Sequence, residues 1–260
     1  MTALFDDIIF GPIHSRRLGL SLGVNLLPRE AKICNFDCVY CECGSNGERK
    51  GVASQRRFAD RRDVEEALQT QLREMAAASA PPDVITFAGN GEPTLHPDFE
   101  QIIESTIAIR DKWSPDAKVS VLTNATTLSK EGVVRMLRLV DNPILKIDSA
   151  IEATAKLMNA PAASYSVGDV IEQMAASLQG VAIVQTMFLR GVVDGVTVDN
   201  TSEEEVAAWL DALRRISPRS VMIYSLDRDT PCDTLERVSK DELEVIAARV
   251  RACGIECSAA

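Results

Sequence analysis

Short apolar runs alternate with longer segments of helical periodicity along this sequence, and that alternation restricts the fold more than any other feature. The predicted strands are Leu20–Leu27, Val84–Gly89, Val119–Asn124, Ile144–Ser149, Val181–Phe188 and Ser220–Leu226. The predicted helices are Asp60–Ala78, Pro97–Arg110, Ser129–Val140, Val167–Leu178, Ser202–Ile216 and Ser239–Ala252. Strand–helix units in strict alternation predict a parallel sheet whose strands are linked by right-handed crossovers.

The predicted strands are almost continuously apolar, which is typical of parallel strands with both faces covered. Such units form either an open doubly wound sheet or an incomplete barrel, and periodicity does not separate the two. In both folds, ligands bind beyond the carboxyl ends of the strands. Because the sequence has no Pro/Ser-rich linker, we expect a single α/β domain over residues 1–260, with a core at about 11–231 and a last helix at 239–252.

The composition is that of an ordinary globular protein, with 46% hydrophobic and 25% charged residues among 260. No apolar run is long enough to span a bilayer, and the first residues are acidic where a signal peptide would be basic. We therefore expect a cytoplasmic protein that does not contact a membrane. Since that compartment keeps thiols reduced, the seven cysteines are expected to be ligands or core residues.

The net charge of −10 argues against broad binding of nucleic acids, which depends on neutralising phosphates. It is compatible with a local basic patch, because basic residues gather early in the chain. They are Arg16, Arg17, Arg49, Lys50, Arg56, Arg57, Arg61 and Arg62.

Three cysteines, Cys34, Cys38 and Cys41, lie within eight residues in the string CNFDCVYC. Three thiolates on one loop can hold a metal centre and leave one coordination position open. Cys43 follows closely, so a closed four-sulfur zinc site is an alternative, although zinc sites usually combine two separated Cys-x-x-Cys pairs. An iron–sulfur cube is larger and takes one thiolate per iron, which suits three closely spaced cysteines.

Polar residues follow the predicted strands at their carboxyl ends, where we expect an active site. The cysteine string follows the first strand. The residues at the carboxyl ends of the later strands are Asn90, Gly91, Glu92, Pro93, Thr123, Asn124, Lys146, Asp148, Gln185, Thr186, Tyr224, Asp227 and Arg228.

These motifs resemble those of the radical S-adenosylmethionine (SAM) enzymes. CNFDCVYC is similar to the three-cysteine signature of that superfamily, and NGEP is similar to its GGEP-type motif, with Asn90 in place of the first glycine. Further segments resemble the small iron–sulfur oxidoreductases related to the wybutosine-synthesis radical SAM enzymes, over about Gly11 to Pro231. They are GPIHSRRLGLSLGVNLLP, FAGNGEPTLHPDF, LTNATTLS, LKIDSA, QTMFLRG and YSLDRDTP.

The resemblance implies a partial (β/α)6, TIM-like barrel with parallel strands. It also implies that Cys34, Cys38 and Cys41 bind three irons of a [4Fe–4S] cluster and that SAM binds the fourth. An electron from the cluster would cleave SAM into methionine and a 5′-deoxyadenosyl radical, which would abstract hydrogen from a substrate. The chain would then be an iron–sulfur enzyme of oxidoreductase or transferase type that uses two cofactors, the cluster and SAM.

The same resemblance implies roles for individual residues. Gly91 would let the backbone approach the methionine moiety, and the Gly91–Pro93 backbone would accept from the SAM amino group. Glu92 would hold the loop. Asn124 and Asp148 would contact the SAM carboxylate or ribose, and Tyr40 would lie near the adenine. The full set of predicted cofactor-binding residues is Tyr40, Asn90, Gly91, Glu92, Pro93, Asn124, Asp148 and Gln185.

Several alternatives stay open at the level of sequence. The substrate is a small molecule, a peptide or tRNA, the last by analogy with the wybutosine enzymes. The mechanism calls for a reductant such as flavodoxin or ferredoxin. A non-catalytic metal-binding protein, closed by Cys43, is the alternative from a different class. Cys232, Cys253 and Cys257 are expected to be core cysteines rather than ligands of an auxiliary cluster.

Overall fold

The fold is that of a computed structural model, which describes residues 4–15, 18–46, 57–161, 164–227 and 230–260. Its strands are β1 (Ile9–Ser15), β2 (Gly19–Val24), β3 (Val84–Phe87), β4 (Lys118–Thr123), β5 (Asn142–Lys146), β6 (Ile183–Val193), β7 (Val196–Asp199), β8 (Ser220–Ser225), β9 (Leu235–Arg237) and β10 (Glu256–Ala259). Its helices are α1 (Arg61–Ala77), α2 (Phe99–Trp113), α3 (Glu131–Leu139), α4 (Glu152–Asn159), α5 (Val167–Ser177), α6 (Glu203–Ile216) and α7 (Lys240–Ala252), with a short 3-10 turn at Pro93–Leu95.

The sheet follows the order β1-β2-β3-β4-β5-β6-β8-β10. All neighbours from β2 to β10 in this order are parallel, whereas β1 pairs antiparallel with β2 at one edge. The predicted parallel sheet and the partial, TIM-like barrel are therefore confirmed. β10 adds a seventh parallel strand that the sequence did not predict.

Strand β6 continues past the barrel and forms a small antiparallel extension above its carboxyl end. The outer half of β6 pairs with β7 on one side and β9 on the other. Asp194 and Gly195 connect β6 to β7 as a two-residue hairpin, and both have positive φ angles (50° and 80°). Asp-Gly is a favoured sequence for such a turn, so this hairpin had a local signal.

The main core lies between the outer face of the sheet and the helices. At its centre, the Trp209 ring of α6 packs edge-on against Phe188, with ring centroids 5.3 Å apart, and its Nε1 donates to Thr186 Oγ1 (3.0 Å). A second buried apolar group, the cap cluster, lies near the carboxyl end of the barrel. It consists of Tyr40, Met158, Met187, Leu189, Val193, Val198 and Leu226.

Helix α6 shows how the sequence sets helix boundaries. The Ser202 hydroxyl accepts from the Glu205 N–H (3.4 Å), and Glu203–Glu205 and Arg214–Arg215 complement the helix dipole at its two ends. No helix in the described part of the chain is long and apolar enough to cross a membrane.

Candidate functional site

The cysteine string lies in the loop after β2, and this loop is joined to the loop after β3. Ile33, just before Cys34, forms an isolated parallel bridge with Gly91. The Ile33 N–H donates to the Asn90 carbonyl (2.9 Å), and the Glu92 N–H donates to the Ile33 carbonyl (3.0 Å). The two strongest motifs of the sequence therefore meet through backbone hydrogen bonds.

Gly91 makes that contact possible. Its φ is +135°, and a Cβ at this position would lie 1.9 Å from the Ile33 carbonyl oxygen. The resemblance implied that this glycine lets the backbone approach the methionine moiety of SAM, but the cysteine loop occupies the direction that a side chain would take. The Glu92 and Pro93 carbonyls accept from Leu95 N–H (3.2 Å) and His96 N–H (3.1 Å). In the described residues the Gly91 carbonyl has no such partner, which makes it the available acceptor of this loop.

Substituting Gly91 should destabilise the protein strongly. We expect Gly91→Ala to lower the free energy of unfolding by about 2–5 kcal/mol, because it combines a positive-φ strain with a clash against backbone. Gly168→Ala in α5 is the matched control, since its nearest neighbour would be Ser166 Oγ at 3.7 Å. That control should be neutral or stabilising by up to about 1 kcal/mol. Urea denaturation measures both values, and equal stability of the two variants would contradict the prediction.

Glu92 is fully buried and joins the loop after β3 to the end of β4. Its Oε1 accepts from Thr94 Oγ1 (2.6 Å), Thr94 N–H (3.1 Å) and Thr123 Oγ1 (2.7 Å), and its Oε2 accepts from the Asn124 N–H (2.7 Å). Burial raises the pKa of Glu92, and these hydrogen bonds oppose the rise. A carboxylate with this many internal partners positions its neighbours rather than transferring protons.

Asn90 is also buried, and protein groups occupy its side chain. Its Nδ2 donates to the carbonyls of Phe5 (2.9 Å) and Pro28 (2.9 Å), and its Oδ1 accepts from the Phe5 N–H (2.8 Å). No side-chain group of Asn90 is left for a cofactor in this arrangement. Asn90 instead connects the N-terminal segment, through Phe5, to the loop after β3.

Asn124, at the end of β4, contacts the first cysteine. Its Nδ2 donates to Asn35 Oδ1 (2.6 Å) and lies 3.6 Å from Cys34 Sγ. Its Oδ1 accepts from Thr126 N–H (3.2 Å) and Thr126 Oγ1 (2.7 Å). The amide is therefore fixed with its donor side towards the Cys34 sulfur.

Asp148 is the centre of a buried network at the end of β5. Its Oδ2 accepts from Lys146 Nζ (2.5 Å), Asn159 Nδ2 (2.7 Å) and the Tyr40 hydroxyl, and its Oδ1 accepts from the Met187 N–H (3.0 Å). The Asp148 side chain is 0% exposed. Its oxygens thus have no open side for a ribose in this structure, and Asp148 fixes Tyr40 and Asn159 in place.

Lys146 and Asn159 connect this network to the cysteine loop. The Lys146 ammonium lies 4.3 Å from the centroid of the Tyr40 ring, and Asn159 Nδ2 lies 3.7 Å from Cys38 Sγ. Burial alone would lower the pKa of Lys146, but the charges of Asp148, Cys38 and Tyr224 and the hydrogen bond with Asp148 together raise it by more, so the lysine stays a cation. Cys38 therefore has an amide donor of its own, as Cys34 does.

The thiols themselves differ in acidity. Burial raises the pKa of Cys34 to about 12, helped by the charge of Glu92, and raises that of Cys38 to about 11. A hydrogen bond with Cys43 lowers the pKa of Cys41 to about 6, and the same bond raises the pKa of Cys43. The thiols of Cys34 and Cys38 thus keep their protons at neutral pH. A positively charged metal centre that binds these sulfurs would displace the protons.

The donor set fits the iron–sulfur cluster that the sequence predicts. Three partly buried thiols share one loop, and two of them receive side-chain amide N–H groups, which are the outer contacts that sulfur ligands need. In the described residues no three His, Cys, Asp or Glu side chains are gathered around the position of a single metal ion.

Lys32 is a site residue that was not predicted from the sequence. Its Nζ donates to Asp37 Oδ1 (3.0 Å) and to the Gly44 carbonyl (2.8 Å), and its side chain is 2% exposed. Burial alone would lower its pKa, but the charges of Cys41, Asp37 and Cys34 and the hydrogen bond with Asp37 together raise it by more. Its position two residues before Cys34 was the available signal, but a lone lysine in a loop does not reveal that it is buried.

Gln185 lies on β6, and its neighbour Thr186 faces Trp209 on the outer side of the sheet. Because side chains alternate along a strand, Gln185 faces the barrel interior. Tyr224 lies on the adjacent strand β8. Arg228, Arg16, Arg17, Arg49, Lys50 and Arg56 lie outside the described residues.

The late cysteines do not gather into a second site. The Cys232 N–H donates to the Val39 carbonyl (3.3 Å), so Cys232 lies beside the cysteine loop. Cys253 accepts from Arg214 (3.3 Å) and packs, partly buried, against the main core, and Cys257 is buried in β10. The expectation of core cysteines fits Cys257 best.

His96, just after the loop of Glu92, is a neutral histidine that should make stability depend on pH. Burial lowers its pKa, although the hydrogen bond to the Ala59 carbonyl opposes this. The Asp98 N–H donates to Nδ1 (3.0 Å), which requires an unprotonated nitrogen. Since the unfolded chain binds the proton more readily, stability should fall as the pH drops from about 7.5 to about 5.5. His96→Gln should reduce this fall in urea denaturation, and an unchanged pH profile would contradict the assignment.

The comparisons with known proteins show the family of this chain. The sequence model of the radical SAM superfamily matches residues 31–213, which include all three cysteines and the Glu92 loop. The chain belongs to the radical SAM superfamily. Enzymes of this superfamily use a [4Fe–4S] cluster and SAM, so the predicted family and cofactors are confirmed.

Relatives of similar sequence include proteins without an activity in their names. A UPF0026 protein of Synechocystis sp. is 30% identical over 227 residues, which cover 86% of this chain and 77% of that protein. A UPF0026 protein of Methanocaldococcus jannaschii is 28% identical over 214 residues, or 81% of this chain and 61% of that one. A protein named GTPase Obg from Brachyspira hyodysenteriae is 27% identical over 95% of this chain. The chain spans only 34% of the length of that last protein.

Several solved structures share the fold. A radical SAM methyltransferase from Sphaerobacter thermophilus matches 92% of this chain and 65% of its own, with a TM-score of 0.66 and 14% identity. Streptococcus suis SuiB bound to SAM matches 89% of this chain and 49% of its own (TM-score 0.62, 12% identity). TYW1 with a lysine–pyruvate adduct matches 89% and 73% (TM-score 0.57, 12% identity). At these identities the likeness is one of fold alone.

Proposed function

We propose that Cys34, Cys38 and Cys41 each bind one iron of the [4Fe–4S] cluster and that SAM binds the remaining iron. The observation that carries this proposal is the pair of amide contacts, from Asn124 to Cys34 and from Asn159 to Cys38. When bound, the two cofactors supply reductive cleavage of SAM and hydrogen-atom abstraction from a substrate. Cys43 stays outside the ligand set, because its thiol donates a hydrogen bond to the Gly89 carbonyl (3.3 Å) and shares a hydrogen bond with the Cys41 sulfur.

The other predicted residues divide into two roles in this proposal. Gly91 offers its free carbonyl to the SAM amino group, and Tyr40, Pro93 and Gln185 line the space around the cofactor. Asn90, Glu92 and Asp148, whose polar groups are already occupied, position the surrounding loops. Asn124 has both roles, because it positions Asn35 through a hydrogen bond and its amide also contacts the sulfur of Cys34, a proposed cluster ligand.

Anaerobic reconstitution tests this function directly. With iron and sulfide, the protein should take up about four irons per chain and turn brown. Reduction with dithionite in the presence of SAM should then release 5′-deoxyadenosine. A fully loaded protein that releases none would contradict the proposal. Zinc in a colourless, anaerobically purified protein would favour the non-catalytic alternative.

The substrate is a separate part of the proposal. We infer an oxidoreductase that acts on a small molecule or a peptide, and the alternative is a tRNA-modifying enzyme of the wybutosine type. Of the early basic residues in the described part, Arg61 is paired with Glu65 (2.7 Å), which reduces its charge available to phosphate. Binding of tRNA in a gel shift that weakens with salt would favour the alternative.

A flavodoxin or ferredoxin is the expected electron donor, since the cluster needs a reductant of low potential. A cytoplasmic location agrees with seven cysteines that are all free. One domain over residues 1–260 agrees with a single sheet that runs from β1 to β10.

A further inference from the structure

We propose that Lys32 is a fixed cation built into the cysteine loop and that it raises the reduction potential of the cluster, with Asp37 limiting the effect. The inference rests on the proposed function, because it requires the cluster to be bound by Cys34, Cys38 and Cys41. It concerns how readily the cluster accepts its electron, and it assigns a role to two residues outside the ligand set.

The cysteine loop is wrapped around the Lys32 ammonium. Nζ is held by Asp37 Oδ1 (3.0 Å), which lies between the first two cysteines, and by the Gly44 carbonyl (2.8 Å), which lies just beyond the last. Gly44 is itself tied to the loop, since its N–H donates to the Cys41 carbonyl (3.0 Å). The ammonium is therefore held by the same loop that carries the three thiols.

The charge of Lys32 is only partly balanced by its partner. The Lys32 side chain is 2% exposed, whereas that of Asp37 is 34% exposed and so is screened by water. Lys146 at the other side of the site differs, because its partner Asp148 is 0% exposed. Lys32 thus leaves a net positive field beside the thiols, which the buried pair of Lys146 and Asp148 does not.

A buried lysine is energetically unfavourable at this position if its only role is to hold the loop together. Burying an ammonium costs free energy unless it is paired, and a neutral amide could also donate to the Gly44 carbonyl. Asn46 already performs that kind of task in the same loop, since its Nδ2 donates to the carbonyls of Cys34 (3.1 Å) and Phe36 (3.0 Å). What a lysine adds is charge.

The sign of the effect follows from the reduction step. One electron passes from an external reductant to the cluster, and no covalent bond forms or breaks. The cluster and its three thiolates become more negative by one charge, so a nearby fixed cation stabilises the reduced form more than the oxidised form. Lys32 should therefore raise the potential, and the carboxylate of Asp37 should lower it.

Three variants test this assignment: Lys32→Gln, Asp37→Asn and the double variant. Each is reconstituted anaerobically, its iron and sulfide are counted, and the cluster potential is measured by redox titration with dithionite, followed by electron paramagnetic resonance. Lys32→Gln should lower the reduced-to-oxidised ratio at a fixed potential about tenfold, or about 59 mV for a one-electron couple. Asp37→Asn should shift the potential upwards, and the double variant should return towards the wild-type value.

The outcomes separate this inference from the proposed function. Wild-type protein that takes up no cluster would overturn the function itself. Lys32→Gln with full iron content and an unchanged potential would overturn the role of Lys32, as would shifts of the same sign in both single variants. If Lys32→Gln loses iron, the cluster potential of Asp37→Asn tests the inference instead, because the asparagine side chain can still accept a hydrogen bond from Lys32. An upward shift then supports the inference, and an unchanged potential overturns it.

Discussion

Replacing Cys34, Cys38 or Cys41 with alanine should abolish cluster assembly and SAM cleavage, whereas Cys43→Ala should retain both. Each of the three supplies one iron ligand in the proposed site, and no other thiol can replace it without moving the loop. Loss of an outer contact to a metal ligand typically costs 10–100-fold, so loss of a ligand should leave below about one-hundredth of the wild-type activity. Iron content, absorbance of the reconstituted protein and release of 5′-deoxyadenosine measure the effect.

Cys41→Ala and Cys43→Ala together identify the third cysteine ligand of the cluster. The two thiols share a hydrogen bond, so either could in principle face the cluster. If Cys43→Ala lost the cluster while Cys41→Ala kept it, the ligand set would be Cys34, Cys38 and Cys43. Cys253→Ala is a suitable control, because this cysteine accepts from Arg214 on α6, away from the loop.

The architecture could be predicted from the sequence to the extent that it rests on periodic burial. The six predicted strands correspond to β2, β3, β4, β5, β6 and β8, since each is a largely apolar and largely buried run. Strands β7 and β9 are short, partly exposed and paired through β6 outside the barrel, so they lack that pattern. Helix α4 has only eight residues, too few for a helical period to stand out.

The site was predictable where short motifs carry the chemistry, and less so where tertiary packing sets the role. CNFDCVYC and NGEP were recognised, and the structure joins them through Ile33 and Gly91. The orientation of Asp148 depends on Lys146 and Asn159, which come from different elements, so the sequence could not show that its oxygens are already occupied. Lys32 was missed for the same reason.

Glu92 should be the residue whose loss most disturbs the framework of the site. Glu92→Ala removes the acceptor for four hydrogen bonds and leaves the N–H of Asn124 and the groups of Thr94 and Thr123 buried without it. Because each unsatisfied buried group costs about 1–3 kcal/mol, we expect a loss of about 3–5 kcal/mol in the free energy of unfolding.

Glu92→Gln separates the shape of this side chain from its hydrogen-bonding pattern. Its oxygen can still accept from Thr94 and Thr123, but its amide group would place a donor against the Asn124 N–H, so we expect a smaller loss of about 1–3 kcal/mol. Glu104→Gln on the exposed face of α2 should change stability by less than about 0.5 kcal/mol. Since Asn124 also contacts Cys34, the two Glu92 variants should lose bound cluster in the same order as they lose stability. Full stability of Glu92→Ala would show that the loop after β3 is held by other contacts, and that the carboxylate is available to a cofactor after all.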